Sequence, residues 1–208
     1  TSRQIVLQKM STGTLGRWTS LPSFGYALGL ENSPAISSTA QLKFMVISGS
    51  HWMTSSMDVI KGEFNHVCAV FDRTTSNNSM RLYNNEELIV DNASNISINA
   101  FGEEFNQTPM FIGSGTIVRV PELPNFIPAQ SFSGSIDELR IFHSPRSLDS
   151  QKAYALKGIY PEGDLRLYFK FNEPTGSIGI DDIVLDSSGH ALHSRIKNFG
   201  HDLRSTGS

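Results

Sequence analysis

A single cysteine, Cys68, excludes an intrachain disulfide, so this chain must fold without the staples on which small secreted domains rely. Basic residues are few and scattered. Seventeen Lys and Arg against 20 Asp and Glu leave a formal charge of −3, and the clustered positive surface that phosphate recognition requires is missing, which argues against nucleic acid as a partner. No apolar run approaches the roughly 18 residues that cross a bilayer. Thr1 to Lys9 lacks the charged start and apolar centre of a secretory signal, so an exported protein would carry its signal outside this sequence or use a route without one. Helical periodicity is scarce as well. Only Ser147–Leu156 reads as a helix, with Ser147 as its cap, Asp149 in its first turn, Gly158 to end it, and Leu148 and Ala155 facing inward.

What is present suits a folded β-protein. The 208 residues suffice for one generous domain, or one domain and part of another, and 13 Phe with only 18% charged residues argue against disorder. Short apolar segments recur between clusters of Gly, Ser, Asn and Pro, the pattern of a two-sheet antiparallel sandwich. Strands are predicted at Gln4–Gln8, Gly25–Glu31, Gln41–Ser48, Asp58–Ile60, Asn65–Asp72, Met80–Asn84, Glu87–Asn92, Met110–Ser114, Gly134–Phe142 and Leu165–Asn172. Polar and apolar residues alternate only partly over Gln41–Ile47, which predicts a central strand covered on both sides. Tyr83-Asn-Asn-Glu-Glu87 reads as a tight hairpin, since Asn tolerates the left-handed conformation. Thr116–Gln130, with three prolines, reads as a loop. Cys68 lies in the apolar strand Phe64–Phe71. His66 shares its face but no third group completes a nucleophile, and the thiol is read as structural.

No motif points to catalysis. Gly-x-Ser-x-Gly, a phosphate loop and a zinc spacing are all missing, the six histidines are dispersed, and Glu86-Glu87, Glu103-Glu104 and Asp181-Asp182 are adjacent pairs that point to opposite faces if extended. For binding, the candidate exposed aromatics are Trp18, Trp52 and Tyr26. A ring face stacks on a sugar while neighbouring Asn, Asp and Gln read its hydroxyls. Trp18 falls in a Gly/Ser/Thr-rich loop and Trp52 in Ser48-Gly-Ser-His-Trp-Met53, both read as loop tips; plugging the edge of the core is the alternative for either. Sequons at Asn77, Asn92, Asn95 and Asn106 matter only in a glycosylating host.

Several segments, in order, resemble the laminin-G-like, concanavalin-A-like lectin superfamily, including pentraxin-type jelly rolls. Gln4-Ile-Val-Leu-Gln-Lys9 and Phe24-Gly-Tyr-Ala-Leu-Gly-Leu30 look like the family's second and third strands. Gly62-Glu-Phe-Asn-His-Val-Cys-Ala-Val-Phe-Asp72 resembles its W-x-H-V-A strand with Phe64 in place of Trp. Met80-Arg-Leu-Tyr-Asn-Asn-Glu-Glu-Leu-Ile-Val90 is similar to its L-Y-V-N-G-x-L hairpin with Glu86 in place of Gly. Ser131-Phe-Ser-Gly-Ser-Ile-Asp-Glu-Leu-Arg-Ile-Phe142 looks like its closing strand. The body is therefore read as residues 1–160. Residues 161–208 resemble the family's opening instead: Leu165-Arg-Leu-Tyr-Phe-Lys-Phe-Asn-Glu173 looks like the first strand and Asp186-Ser-Ser-Gly189 like the turn after it. That segment either starts a next repeat or returns to supply the missing strand, and an apolar row at Leu165, Leu167, Phe169 and Phe171 favours pairing with this body or a neighbouring chain.

The resemblance implies a structural Ca²⁺ held by Asp137, Glu173 and Asp186 with carbonyls near Gly189, since calcium needs six to eight oxygens. It also implies that a glucanase would carry Glu-x-Asp-x-(x)-Glu on one strand, a run this sequence lacks. The expectation is a non-catalytic adhesion or carbohydrate-binding module of a larger extracellular or particle-surface protein, with a glycan or protein ligand. The alternative is a structural module of a virion or filament, pairing strands with neighbouring subunits and binding no sugar.

Overall fold

The computed structural model describes residues 2–12, 23–32, 38–74, 77–95, 98, 101, 103–155, 157–173 and 182–197. The chain forms two compact units, Thr1–Ser133 and Gly134–Ser208. In the first, β1 (Ser2–Thr12), β2 (Ser23–Asn32), β3 (Thr39–Ser48) and β4 (His51–Ile60) run as an antiparallel meander. A second sheet is built from β5 (Val67–Asp72), β6 (Asn78–Asn84) and β7 (Glu87–Ser94). A short helix, α1 (Glu103–Gln107), leads to β8 (Met110–Ile112) and β9 (Gln130–Ser131), which extend the first sheet beside β1, β9 in parallel over two residue pairs.

The two sheets face each other as a sandwich because one side of each strand is apolar. Ala40, Leu42, Phe44 and Val46 of β3 and Met53, Met57 and Val59 of β4 meet Met80 and Leu82 of β6 in one buried cluster. As expected of β3, its other side is buried too. Met45 and Ile47, with Ile5, Met10 and Ala27, pack beneath Val118, Val120 and Phe126. The proline-rich segment between β8 and β9 is thus a cover, tied by the paired backbone bonds of Val118 and Phe126.

The predicted three-residue strand at Asp58–Ile60 is corrected to ten residues. Met53, Ser55, Met57 and Val59 alternate inward in β4, so the Ser/Thr-rich stretch that reads as a loop is a strand with a polar outer side. The tight turn is confirmed. Asn85 (φ 48°) and Glu86 (φ 67°) are both left-handed, and Asn85 exchanges hydrogen bonds with His66. A left-handed Glu is strained, so Glu86→Gly should stabilise the unit by about 0.5–1 kcal/mol, read as a raised urea midpoint.

In the second unit β10 (Leu139–Phe142) leads to α2 (Leu148–Tyr154), capped as expected by the Ser147 hydroxyl, which accepts the Ser150 amide. β11 (Leu165–Phe169) pairs antiparallel with β10 inside the chain, Leu139 opposite Phe169 and Ile141 opposite Leu167. β12 (Ile183–Val184) and β13 (Ser194–Arg195) form a small ladder. The predicted Gly134–Phe142 strand shortens because Glu138 (φ 51°) is left-handed, and the strand at Leu165 ends before Asn172, with Phe171 (φ 54°) left-handed.

Candidate functional site

The outer side of the first sheet is only partly covered, and the register shows where. Glu31, Gln41 and Asp58 lie in one row across β2, β3 and β4, and Gly29, Lys43 and Ser56 in the next. Then come Ala27, Met45 and Thr54, and last Gly25, Ile47 and Trp52. The cover reaches over Met45 and Ile47, and its Phe126 ring sits where a side chain at Gly29 would project, its Cζ 2.6 Å from an ideal Cβ there. Beyond that line the sheet is open. Gln41 and Asp58 are exposed, and Glu31, Lys43, Thr54 and Ser56 are half-buried.

Arg3 marks the boundary. Its guanidinium stands 5.5 Å from the Phe126 ring, donates to the Asn125 carbonyl at 3.0 Å, and donates from Nε and Nη2 to Glu31 Oε1 at 3.1 and 3.0 Å. Lys43 Nζ approaches the other Glu31 oxygen at 3.8 Å. The open region is therefore a strip along β4 with Trp52 at one end and Asp58 at the other. Trp52 is half-buried, resting against the covered apolar cluster. It is a strand residue rather than a loop tip, and both of its sequence readings hold in part, since it borders the core and remains accessible.

Of the other expected aromatics, Trp18 lies outside the described residues. Tyr26 is corrected: it faces the sandwich interior beside Phe105, ring centroids 6.0 Å apart, and is not an exposed platform. Burial pushes its phenol up to about 12. The native state thus keeps the proton more tightly than the unfolded chain, whose phenol titrates near 10. This contribution is complete below about pH 10 and is lost as pH rises through about 12. Two pH units correspond to about 3 kcal/mol. Tyr26→Phe should flatten the alkaline fall in urea midpoint between pH 9 and 11.5 relative to the parent chain.

The expected calcium ligands are differently engaged. Asp186 Oδ1 accepts the amides of Tyr168 and Ser188 at 3.0 and 2.9 Å, and Oδ2 accepts the Leu192 amide and the Ser188 hydroxyl at 3.0 and 2.8 Å. Burial alone would raise its carboxyl. The Leu192, Ser188 and Tyr168 amides outweigh burial and hold it below the usual carboxylate range. Four donors take up the lone pairs that a cation would need. Asp137 accepts the Glu138 amide, and Glu173 Oε1 accepts the Leu185 amide. Among the described residues no group of three or more His, Cys, Asp or Glu is placed to hold a metal ion. The Asp186 turn is built by hydrogen bonds, which leave that carboxylate no lone pair for a cation.

Glu138 has structural partners that the sequence does not disclose. Arg140 donates to Glu138, to the Tyr154 carbonyl at 2.6 Å and to the Lys157 carbonyl at 2.6 Å, and Tyr168, opposite it on β11, donates its hydroxyl to the same Glu138 oxygen.

The strip itself was missed by sequence reasoning. Its signal was available in the two-residue alternation from Trp52 to Ile60, masked by Thr54-Ser-Ser56.

A laminin-G family model, described as concanavalin A-like lectin/glucanases superfamily, matches residues 2–150. Among solved structures, a candidate carbohydrate binding protein from Bacteroides ovatus aligns over 95% of this chain at 15% identity with a TM-score of 0.53. This chain spans 58% of that protein's length. An S-layer domain-containing protein from Clostridium thermocellum aligns over 74% of this chain and 63% of its own at 20% identity with a TM-score of 0.36. No curated protein matches.

Proposed function

Since the chain belongs to the concanavalin A-like lectin/glucanase superfamily, we propose that it is a non-catalytic glycan-binding module of a larger surface-displayed protein. The observation that carries this reading is the open strip on β4, where a half-buried Trp52 is followed on the same side by Thr54, Ser56 and Asp58, with Gln41 and Lys43 alongside. A ring that can stack and a row of hydroxyl, amide and carboxylate groups are what sugar recognition uses. Rigid strands hold these groups without a loop having to order on binding.

The same strip supports binding without hydrolysis. A glycosidase needs one carboxyl to protonate the leaving oxygen and a second to act as nucleophile or base. Glu31 has one oxygen on Arg3 and the other beside Lys43, so both of its oxygens are already engaged. Among the described residues Asp58 is then the one carboxylate on the open strip outside an ion pair.

A glycan array probed with the soluble chain tests the proposal. The intact protein should bind, and Trp52→Ala should lower the signal about tenfold or more while leaving the circular dichroism spectrum unchanged. Binding that survives Trp52→Ala would remove the strip from the site. A second reading, a structural module assembled from neighbouring copies, is favoured by β7, whose only described partner is β6 and which exposes Leu88 and Ile89. Sedimentation of the array sample separates the two: the glycan-binding reading expects a monomer at all concentrations, and concentration-dependent assembly without sugar binding would favour the second.

A further inference from the structure

The charges on the strip narrow the ligand. The described cations on it are Arg3 and Lys43, and both are drawn to Glu31. Among the described residues Asp58 makes no ion pair, and it stands exposed at the far end. Among the described residues two positive and two negative side chains give the strip no net charge, and the one without an ion pair is negative. A sulfated or uronate-bearing chain would need a free Arg or Lys to pair with, and would meet Asp58 instead. Neutral sugar hydroxyls face no such penalty, because Gln41, Thr54, Ser56 and Asp58 supply donors and acceptors that hydroxyls satisfy.

The strip is also long. From Trp52 to Asp58 is six residues of extended strand, about 20 Å at roughly 3.3 Å per residue. Outward side chains recur along β4 at every second position, so the polar contacts repeat along one line instead of converging on a single pocket.

We infer that this strip binds a neutral, hydroxyl-rich polysaccharide laid along β4 over several successive sugar rings, and that it rejects anionic glycans. The inference rests on the glycan-binding reading and specifies its ligand class. Trp52 anchors one ring by stacking; Thr54, Ser56, Gln41 and Asp58 read the rings that follow. Affinity is then a sum of repeated modest contacts, and it should grow with chain length.

Isothermal titration of the full chain tests this. The neutral probes are gluco- and manno-oligosaccharides from disaccharide to hexasaccharide with mixed-linkage β-glucan; the anionic probes are heparin and polygalacturonate. The neutral series should gain about tenfold or more in affinity from disaccharide to hexasaccharide, with less than about a twofold change on raising salt. Heparin and polygalacturonate should not bind. Asp58→Lys, at an exposed position, should weaken the neutral hexasaccharide and create salt-sensitive heparin binding. Should Trp52→Ala fail to fold, Ser56→Arg places a bulky side chain in the middle of the strip and should block the hexasaccharide.

Salt-sensitive binding of heparin or polygalacturonate by the parent chain would overturn the inference and leave the glycan-binding reading standing. So would a disaccharide bound as tightly as the hexasaccharide, or a hexasaccharide unaffected by both Asp58→Lys and Ser56→Arg. Failure to bind any of these probes, together with a blank array, would remove both readings.

Discussion

Replacing Phe126 with alanine is expected to destabilise the first unit by about 3–5 kcal/mol, the usual cost of deleting a fully buried aromatic ring. Phe126 is 3% exposed and closes the cluster formed by Ile5, Met10, Ala27, Met45, Ile47, Val118 and Val120. Its loss would open the outer side of β3 to water and deprive Arg3 of the ring it stands against. Measured by urea denaturation, the midpoint of the first unit should fall. Gly29 supplies an internal check. An added Cβ there would lie 2.6 Å from the Phe126 ring and 3.3 Å from the Gln4 carbonyl oxygen, so Gly29→Ala should also displace the cover. If both act through the same contact, Gly29→Ala should cost much less in the Phe126→Ala background than alone. Additive effects would show that the ring and the glycine are not coupled.

Arg140→Ala is expected to cost the second unit about 1–2 kcal/mol, because it removes bonds to three acceptors at once, each of them within reach of water afterwards. One guanidinium joins Glu138, the Tyr154 carbonyl at the end of α2 and the Lys157 carbonyl beyond it, and stands 5.0 Å from the Tyr168 ring. A cation at a helix C-terminus also opposes the partial negative charge of the last carbonyls. Hydrogen exchange should read the loss as faster exchange in α2, β10 and β11. Arg140→Lys should recover only part of it, since an ammonium cannot span the fork that serves two carbonyls and a carboxylate. Protection of α2 unchanged in Arg140→Ala would show that the helix is held by its apolar contacts alone.

These two positions show what was readable in advance. The run Phe44-Met-Val-Ile47 announced that β3 is covered on both sides, because a strand with one wet face alternates and this one does not. Nothing local to β3 names the cover, which comes from residues more than 70 positions later and closes only when Phe126 meets Gly29. Arg140 stands in plain view two residues after Glu138. Its use as a bracket for α2 follows from how the helix returns over β10, a contact made through carbonyls that carry no side-chain identity. For the same reason the resemblance implied a metal role for Asp186, while the four donors that occupy it include three backbone amides. Trp52 reads as a loop tip from Ser48-Gly-Ser-His-Trp-Met53, and the inward alternation of Met53, Met57 and Val59 outweighs that composition.

By itself the sequence determined the sandwich, the superfamily, the hairpin at Asn85-Glu86, the capped helix after Ser147 and the apolar row of β11. Each depends on spacing over a few residues, where a period of two or a cap is set by backbone geometry. The tertiary structure alone decided that β11 pairs with β10, that a proline-rich segment covers half of one sheet, and that Glu31 draws together Arg3 and Lys43 on the part left open. Those outcomes depend on the register between distant strands, which loop closure and side-chain fit select and no local pattern records.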